Sequence, residues 1–330
     1  MTKCALIFGI SGQDGAYLAA LLLRKGYVVH GTSRRCHSVE FSALIALGIS
    51  HRVTIHSAAI EDSKNISKII EAVSPDEIYN FAGQSSVGRS FCKPVETFES
   101  MANGMLNILE SVRLVRPEAR VFSAGSSECF GDTNGIAADE MTQFNPQNPY
   151  GVAKVAAFWQ VVNYRESYDL FLCSGILFNH ESLLRRPYFV TPKIVQTVAR
   201  IALGSKEVLT LGDVSIQRDW GWAPEYVEAM WASLQQEKPE DYVIATGCLS
   251  SLQDFVAKAF ATVDLDWECY VRFDESLRRP KEIQSVFGCT DKAAEKLNWQ
   301  ARTLMPEIAV RMVKGELARL KGKSPEYLLC

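Results

Sequence analysis

No Cys-x-x-Cys pair occurs among the nine cysteines, which stand at positions 4, 36, 92, 129, 173, 248, 269, 289 and 330. An odd, unpatterned set in a chain of this size argues against a disulfide framework and against structural zinc. It predicts mostly buried, reduced thiols instead. The five histidines have no ligand spacing, so no metal site is expected. No apolar run approaches the roughly 18 residues needed to cross a bilayer as a helix. A basic segment followed by a separate apolar one is missing near residue 1, and together these absences give the expectation of a cytoplasmic protein. A net charge of −3 offers nothing for a nucleic acid or a membrane surface. Internal repeats and low-complexity linkers are also missing.

What is there is a chain of 330 residues with 47% hydrophobic content, enough for one large or two intimate domains with a sizeable core. Short apolar runs alternate with stretches of helical spacing. Strands are expected at 4–8, 27–32, 53–56, 77–81, 120–124 and 171–176, and helices at 17–23, 66–73, 95–115 and from Tyr150 onward. Such alternation predicts an α/β fold, a Rossmann-type doubly wound parallel sheet with right-handed crossovers. Beyond about residue 180 the pattern loses regularity and becomes richer in Arg, Pro and Trp. It reads as a smaller C-terminal α/β part that binds substrate. The expected division is 1–180 for the nucleotide-binding domain, with later segments returning to it, and 181–330 for the remainder.

The first strand runs into Gly9-Ile10-Ser11-Gly12-Gln13-Asp14-Gly15 and then a helix. Strand, Gly-x-x-Gly-x-x-Gly, helix is the context in which glycines let a backbone approach a pyrophosphate, with the helix N-terminus facing the anion. After the second strand a dinucleotide site with an unphosphorylated ribose usually offers an acid. This chain offers Ser33-Arg34-Arg35. Two guanidiniums suit a 2′-phosphate, so the expected cofactor is NADP; the alternative is an arginine that decorates a loop or meets another subunit.

Two further segments carry chemistry. Ala124-Gly125-Ser126-Ser127-Glu128 closes the fifth strand; the serine hydroxyl can bond a reacting oxygen, and a carboxyl in a closed apolar site can serve as acid or base. Asn148-Pro149-Tyr150-Gly151-Val152-Ala153-Lys154 puts Tyr150 and Lys154 one helical turn apart on one face. An ammonium fixed beside a phenol favours the phenolate, which predicts a tyrosine able to move a proton near neutral pH.

Together these segments resemble the extended short-chain dehydrogenase/reductases that modify nucleotide sugars. The stretches G-I-S-G-Q-D-G-A-Y-L-A, G-I-L-F-N-H-E-S, F-V-T-P-K-I, R-D-W-G and D-Y-V-I-A-T-G resemble the GDP-mannose 4,6-dehydratase family over most of residues 1–320. The resemblance implies a GDP-linked sugar as substrate and loss of water through a transient 4-ketone. Ser126, Glu128, Tyr150 and Lys154 would be catalytic. It implies cofactor contacts at Gly9, Ser11, Gly12, Gln13, Asp14, Gly15, Arg34, Arg35, Ile60, Ala82 and Gln84, and at Tyr150, Lys154 and His180. The nucleotide sugar would meet Ser85, Asn179, Lys193, Arg218, Arg279 and Glu282. A homo-oligomer, dimer or tetramer, is implied as well.

Several positions depart from the family pattern. Ala59 stands where an acid is usual, Phe130 replaces a Tyr, and Trp222 replaces a His. Leu183-Leu184 replaces Pro-Arg, and Arg186-Pro187 replaces a Gly-led pair. The chain is also shorter than usual between Trp267 and Arg279. Ala59 bears on the hold on adenine and the 183–187 changes lie near the expected sugar pocket, so a larger or modified hexose, such as a GDP-heptose, stands beside GDP-mannose as the expected substrate. Two other readings stay open: a GDP-sugar reductase or epimerase, and a non-catalytic NADP-binding sensor.

Overall fold

A computed structural model describes residues 2–34 and 41–323. Arg35 lies outside the described residues. The apolar run Cys4–Phe8 forms strand β1, buried from Ala5 onward, as a strand covered on both faces must be. It feeds helix α1 (Gln13–Arg24), which carries Asp14 in its first turn and Arg24 in its last, both matched to the helix dipole. Gly26, at φ +84°, follows its end. Then come β2 (Val28–Ser33), α2 (Ser42–Ala46), β3 (Val53–Ser57), α3 (Ser63–Val73), β4 (Glu77–Asn80), α4 (Val87–Cys92), α5 (Pro94–Phe98), α6 (Gly104–Val115), β5 (Arg120–Ala124), α7 (Pro149–Tyr168) and β6 (Leu172–Leu177). The expected helix at 95–115 is present with one modification: Glu99–Asn103, between α5 and α6, winds as a π-helix. Such wide turns are rare and often lie at functional places; here Ser100 accepts the Gln84 amide (3.2 Å).

The second half supplies β7 (Asn179–Glu181), α8 (Val190–Ala202), β8 (Leu209–Leu211), β9 (Gln217–Trp222), α9 (Ala223–Ser233), β10 (Tyr242–Ile244), β11 (Leu249–Ser251), α10 (Leu252–Ala261), β12 (Val271–Phe273), β13 (Ser285–Val286), α11 (Asp291–Leu297) and α12 (Met305–Leu320). Seven strands form one sheet in the order β10-β6-β5-β4-β1-β2-β3, and every pairing in it is parallel. β10 therefore returns to the sheet built by the first half. Alternation along β1 sends Ile7 to one face, against Leu18 and Tyr226 of α1 and α9. Leu6 and Phe8 go to the other, against Ile66, Ile70, Met105 and Leu109 of α3 and α6. Each fully buried leucine or isoleucine contributes about 1.5–3 kcal/mol over an exposed one.

β7, β9, β11 and β13 make a small mixed sheet, and β8 pairs with β12. Trp220 and Trp222 from β9 pack with Ile194, Val198, Phe255 and Ile308 of α8, α10 and α12. Asp219, just before those tryptophans, is fully buried. It accepts from the Thr246 amide and hydroxyl (2.9 and 2.7 Å) and from the Gly247 amide (2.9 Å), pinning β9 to the segment after β10. In the large sheet, crossovers from β1 run toward β2, whereas the chain after β3 passes to β4 on the other side of β1. Crevices at such a reversal, beyond the carboxyl ends of the strands, are where ligands bind in open α/β sheets.

Candidate functional site

A cavity of about 570 Å³ opens at that crevice and extends toward β9 and the 277–284 segment. Asp14, in the first turn of α1, lines it, whereas Gly9, Ser11, Gly12, Gln13 and Gly15 lie off its lining, beside Asp14. A Cβ on Gly15 would stand 2.6 Å from the Gly9 carbonyl oxygen, so only glycine lets α1 start this close to the strand. Gly12 caps α1 without any side-chain hydrogen bond, leaving the first-turn amides free for an anion. Gln13 is buried and braces the site: its amide donates to Asp14 (3.0 Å) and to the His180 carbonyl (3.1 Å), and its oxygen accepts from Ser182 (2.7 Å). These features form the kind of cradle a dinucleotide pyrophosphate requires.

Asp14 and His180 form an ion pair (3.0 Å) on the cavity wall. The other ring nitrogen of His180 meets the Phe178 carbonyl (2.7 Å), so both nitrogens face acceptors, the arrangement of an imidazolium. Burial opposes charge on both partners. The mutual attraction and hydrogen bond outweigh it, raising His180 and holding Asp14 down at about 2.

Ser126, Glu128, Tyr150 and Lys154 line the same cavity. Ser126 begins the tight turn Ser127–Cys129 after β5, and its hydroxyl accepts the Glu128 amide (3.3 Å). Tyr150 and Lys154 project from the first two turns of α7. Phenol and ammonium lie near one another on this face, and the ammonium also holds a backbone carbonyl. Lys154 Nζ donates to the Ala124 carbonyl (2.6 Å) and stands 5.8 Å from the Tyr150 ring centroid. Burial dominates both groups. It lowers the Lys154 ammonium to about 8 and pushes the Tyr150 hydroxyl up, a rise that the Ser126 hydrogen bond and the Arg185 charge offset only in part.

Ser85, Asn179, Lys193, Arg218, Arg279 and Glu282 line the cavity as well. Glu282 receives Arg218 (3.0 Å) and Arg279 (3.1 Å) on one carboxylate oxygen. Lys193 is exposed and donates to the Thr210 carbonyl (2.6 Å). Other expected cofactor residues lie off the cavity lining. Ile60 is buried, its carbonyl accepting from Asn107 (3.0 Å). The Ala82 amide donates to Asn80 (3.1 Å). Gln84 spends its side-chain amide on Ser86 (2.8 Å) and Thr97 (3.1 Å), bracing its own loop. Arg34 is exposed.

Sequence reasoning missed Glu181 and Arg185, both on the cavity wall. Buried Glu181 accepts from Thr191 (2.6 Å) and lies 3.5 Å from Arg185, whose guanidinium covers the Phe189 ring at 3.8 Å. A charged pair amid the apolar N-H-E-S-L-L-R-R-P segment was the available signal. Four of the departures from the family pattern, Phe130, Leu183, Leu184 and Trp222, lie off the cavity lining. Leu183 and Leu184 pack on the core beside α1 and α9, Phe130 lies in the core with Phe178, and Trp222 is enclosed by α10 and α12. Apolar side chains at these positions gain more from burial than from facing a polar cavity, so they do not shape a sugar pocket. No helix among the described residues is long and apolar enough to cross a membrane.

The family described as GDP-mannose 4,6 dehydratase matches residues 6–312. The chain is 41% identical to GDP-mannose 4,6 dehydratase of Dictyostelium discoideum, with 97% of each chain covered. Among solved structures it is similar to UDP-glucose 4-epimerase from Thermotoga maritima (TM-score 0.83, 19% identity, 97% and 100% covered). It is also similar to dTDP-glucose 4,6-dehydratase from Bacillus anthracis, solved with NAD (TM-score 0.83, 16% identity, 95% and 96% covered).

Proposed function

Because the chain belongs to the GDP-mannose 4,6-dehydratase family, we infer that it is an enzyme converting GDP-mannose, or a closely related GDP-sugar, to the 4-keto-6-deoxy sugar with loss of water. What supports this reading is that Ser126, Glu128, Tyr150, Lys154, Asn179, Arg218, Arg279 and Glu282 all line one cavity. A dehydratase needs both a proton-moving set and a nucleotide anchor.

The cofactor of this reading is a nicotinamide dinucleotide, held at the Gly9–Gly15 loop. NADP is favoured over NAD by Ser33-Arg34-Arg35 in place of an acid. When bound, it would take a hydride from sugar carbon 4 and return one to carbon 6. Ser126 donates a hydrogen bond to the oxygen on carbon 4. Tyr150 takes the proton of that hydroxyl and later gives it to carbon 5. Glu128 takes the carbon 5 proton, made acidic by the ketone, and delivers it to the departing carbon 6 hydroxyl, which leaves as water. The net change is loss of one water, with the cofactor unchanged. Lys154 supplies positive charge beneath the tyrosine and a donor for the nicotinamide ribose. Arg218 and Arg279 offer forked donors for the diphosphate, and Glu282 an acceptor for a ribose hydroxyl.

The same reading assigns 1–180 mainly to NADP and 181–330 mainly to the nucleotide sugar. It includes a cytoplasmic location and a dimer or tetramer. Val95, Val152 and Trp159, strongly exposed on α5 and α7, support assembly, since an apolar helix face in water favours a partner.

The test is incubation of the purified protein with GDP-mannose and NADP, followed by mass spectrometry. Loss of one water without stoichiometric consumption of cofactor is expected, and Glu128→Gln should abolish it. A stoichiometric demand for NADPH would replace this reading with a reductase.

A further inference from the structure

We propose that Asn148 is a positioning residue that fixes the Glu128 carboxylate in register with Tyr150. The proposal rests on the reading of Glu128 as the acid and base of water loss. Asn148 is buried and lies outside the residue set assigned above. Its side-chain nitrogen donates to Glu128 Oε2 at 2.6 Å. Its side-chain oxygen accepts the Gly151 amide at 2.8 Å, capping α7. The cap settles the orientation of the amide: a reversed group would set oxygen against carboxylate and N–H against N–H. Asn148 can therefore only donate to Glu128. One carboxylate oxygen is held by the protein, while Glu128 Oε1 has no hydrogen bond among the described residues and is left for substrate.

Helix capping alone does not demand asparagine, since Ser, Thr or Asp cap equally well. Of these only asparagine also carries a donor long enough to reach Glu128. Two other contacts hold α7 and the segment leading into it against the turn 127–129. The Asn145 amide donates to the Cys129 carbonyl (2.9 Å). A Cβ on Gly151 would stand 2.6 Å from the Glu128 carbonyl oxygen, so the helix backbone rests directly on the acid's backbone. Tyr150 is two residues from Asn148, so the proton carrier for carbon 4 and the one for carbon 5 are joined through one side chain. The other titratable groups acting with Glu128 are Arg218 of β9, Glu282, Tyr150 and Cys129; none of them is altered by changes at position 148.

The experiment compares wild type, Asn148→Ser, Asn148→Asp and Glu128→Gln for thermal midpoint, KM, kcat of water loss and the pH profile of kcat, with GDP-mannose and NADP. Asn148→Ser keeps the cap and loses the donor. Its thermal midpoint should hold, KM should change less than about threefold, and kcat should fall roughly 10- to 100-fold, the scale seen when an orienting partner is removed. Asn148→Asp keeps the cap and sets a second carboxylate against the first. Like charges favour protonation, so the acid limb of its profile should move up by about one pH unit or more. A folded Asn148→Ser with wild-type kcat and profile, beside an inactive Glu128→Gln, overturns the positioning role alone. Full turnover by Glu128→Gln overturns the role of Glu128 and this proposal with it. Should Asn148→Asp fail to fold, Asn148→Ser decides by itself.

Discussion

Replacing Asp14 by asparagine isolates the charge of the Asp14–His180 pair, because the amide keeps the shape and an acceptor oxygen for the imidazole. Asp14 is held at about 2 against an ordinary 3.8. At about 1.4 kcal/mol per pH unit this corresponds to roughly 2 kcal/mol of stability. Only 19% of the side chain is exposed, so solvent screening removes little of it. The sign follows from the direction of each shift. A depressed carboxyl contributes stability that is complete above its ordinary value and is lost as pH falls toward about 2. A raised histidine contributes stability that is complete below its ordinary value and is lost as pH rises through its folded value. Urea unfolding of wild type and Asp14→Asn should therefore differ by roughly 2 kcal/mol between about pH 5 and 6. The gap should narrow on acidification below about pH 4 and again on the alkaline side of the histidine range. Equal stability at pH 6, or a gap that stays constant down to pH 3, would refute the ion-pair assignment.

Two further outcomes are expected. Asp219→Ala leaves the Thr246 and Gly247 donors unpaired in the core and should cost about 3–5 kcal/mol in urea unfolding; a loss under about 1 kcal/mol would show that water replaces the carboxylate. Tyr150→Phe removes one oxygen from the cavity wall and should lower kcat by about a hundredfold or more with an unchanged thermal midpoint; retention of most activity would transfer the first proton step to another group.

The parts of this molecule governed by local periodicity were legible in its sequence. β1 was readable because five apolar residues in a row suit only a strand covered on both faces. Its loop was readable because its glycines sit at close backbone approaches, Gly15 against Gly9 and Gly9 against the segment after β4. Tyr150 and Lys154 share a helix face, as their spacing requires. Contacts between distant segments were not legible. The link of Asp14 to His180 joins residues 166 positions apart, and that of Asn148 to Glu128 joins residues 20 apart; neither leaves a periodic trace. The surroundings of Tyr150 depend on contacts of the same kind. Helical spacing brings Lys154 near, but the carbonyl of Ala124 on β5 takes its ammonium, and the dry surroundings set the direction for the phenol.

The departures from the family pattern bear on the sugar. Read in sequence, Leu183-Leu184 and Trp222 fall inside motifs that surround the substrate, which suggested a reshaped pocket and a larger hexose. Read in space, they face the core. Leu183 is wedged so closely against α12 that a Cβ on Gly315 would come within 2.3 Å of it, a contact that couples α12 to the segment after β7 and lies off the lining of the site cavity. A leucine at that place is therefore explained by packing density alone. Any difference in sugar from the 41% identical relative has to be carried by side chains that reach the cavity, such as Ser85, Asn179, Glu181 and Arg185. Arg185 has the most restricted geometry of these, fixed between the Glu181 carboxylate and the Phe189 ring. A guanidinium held on both sides offers its remaining donors in one direction only, so exchanging GDP-mannose for a bulkier GDP-sugar tests the cavity wall, and changes at Leu183 or Trp222 test only stability.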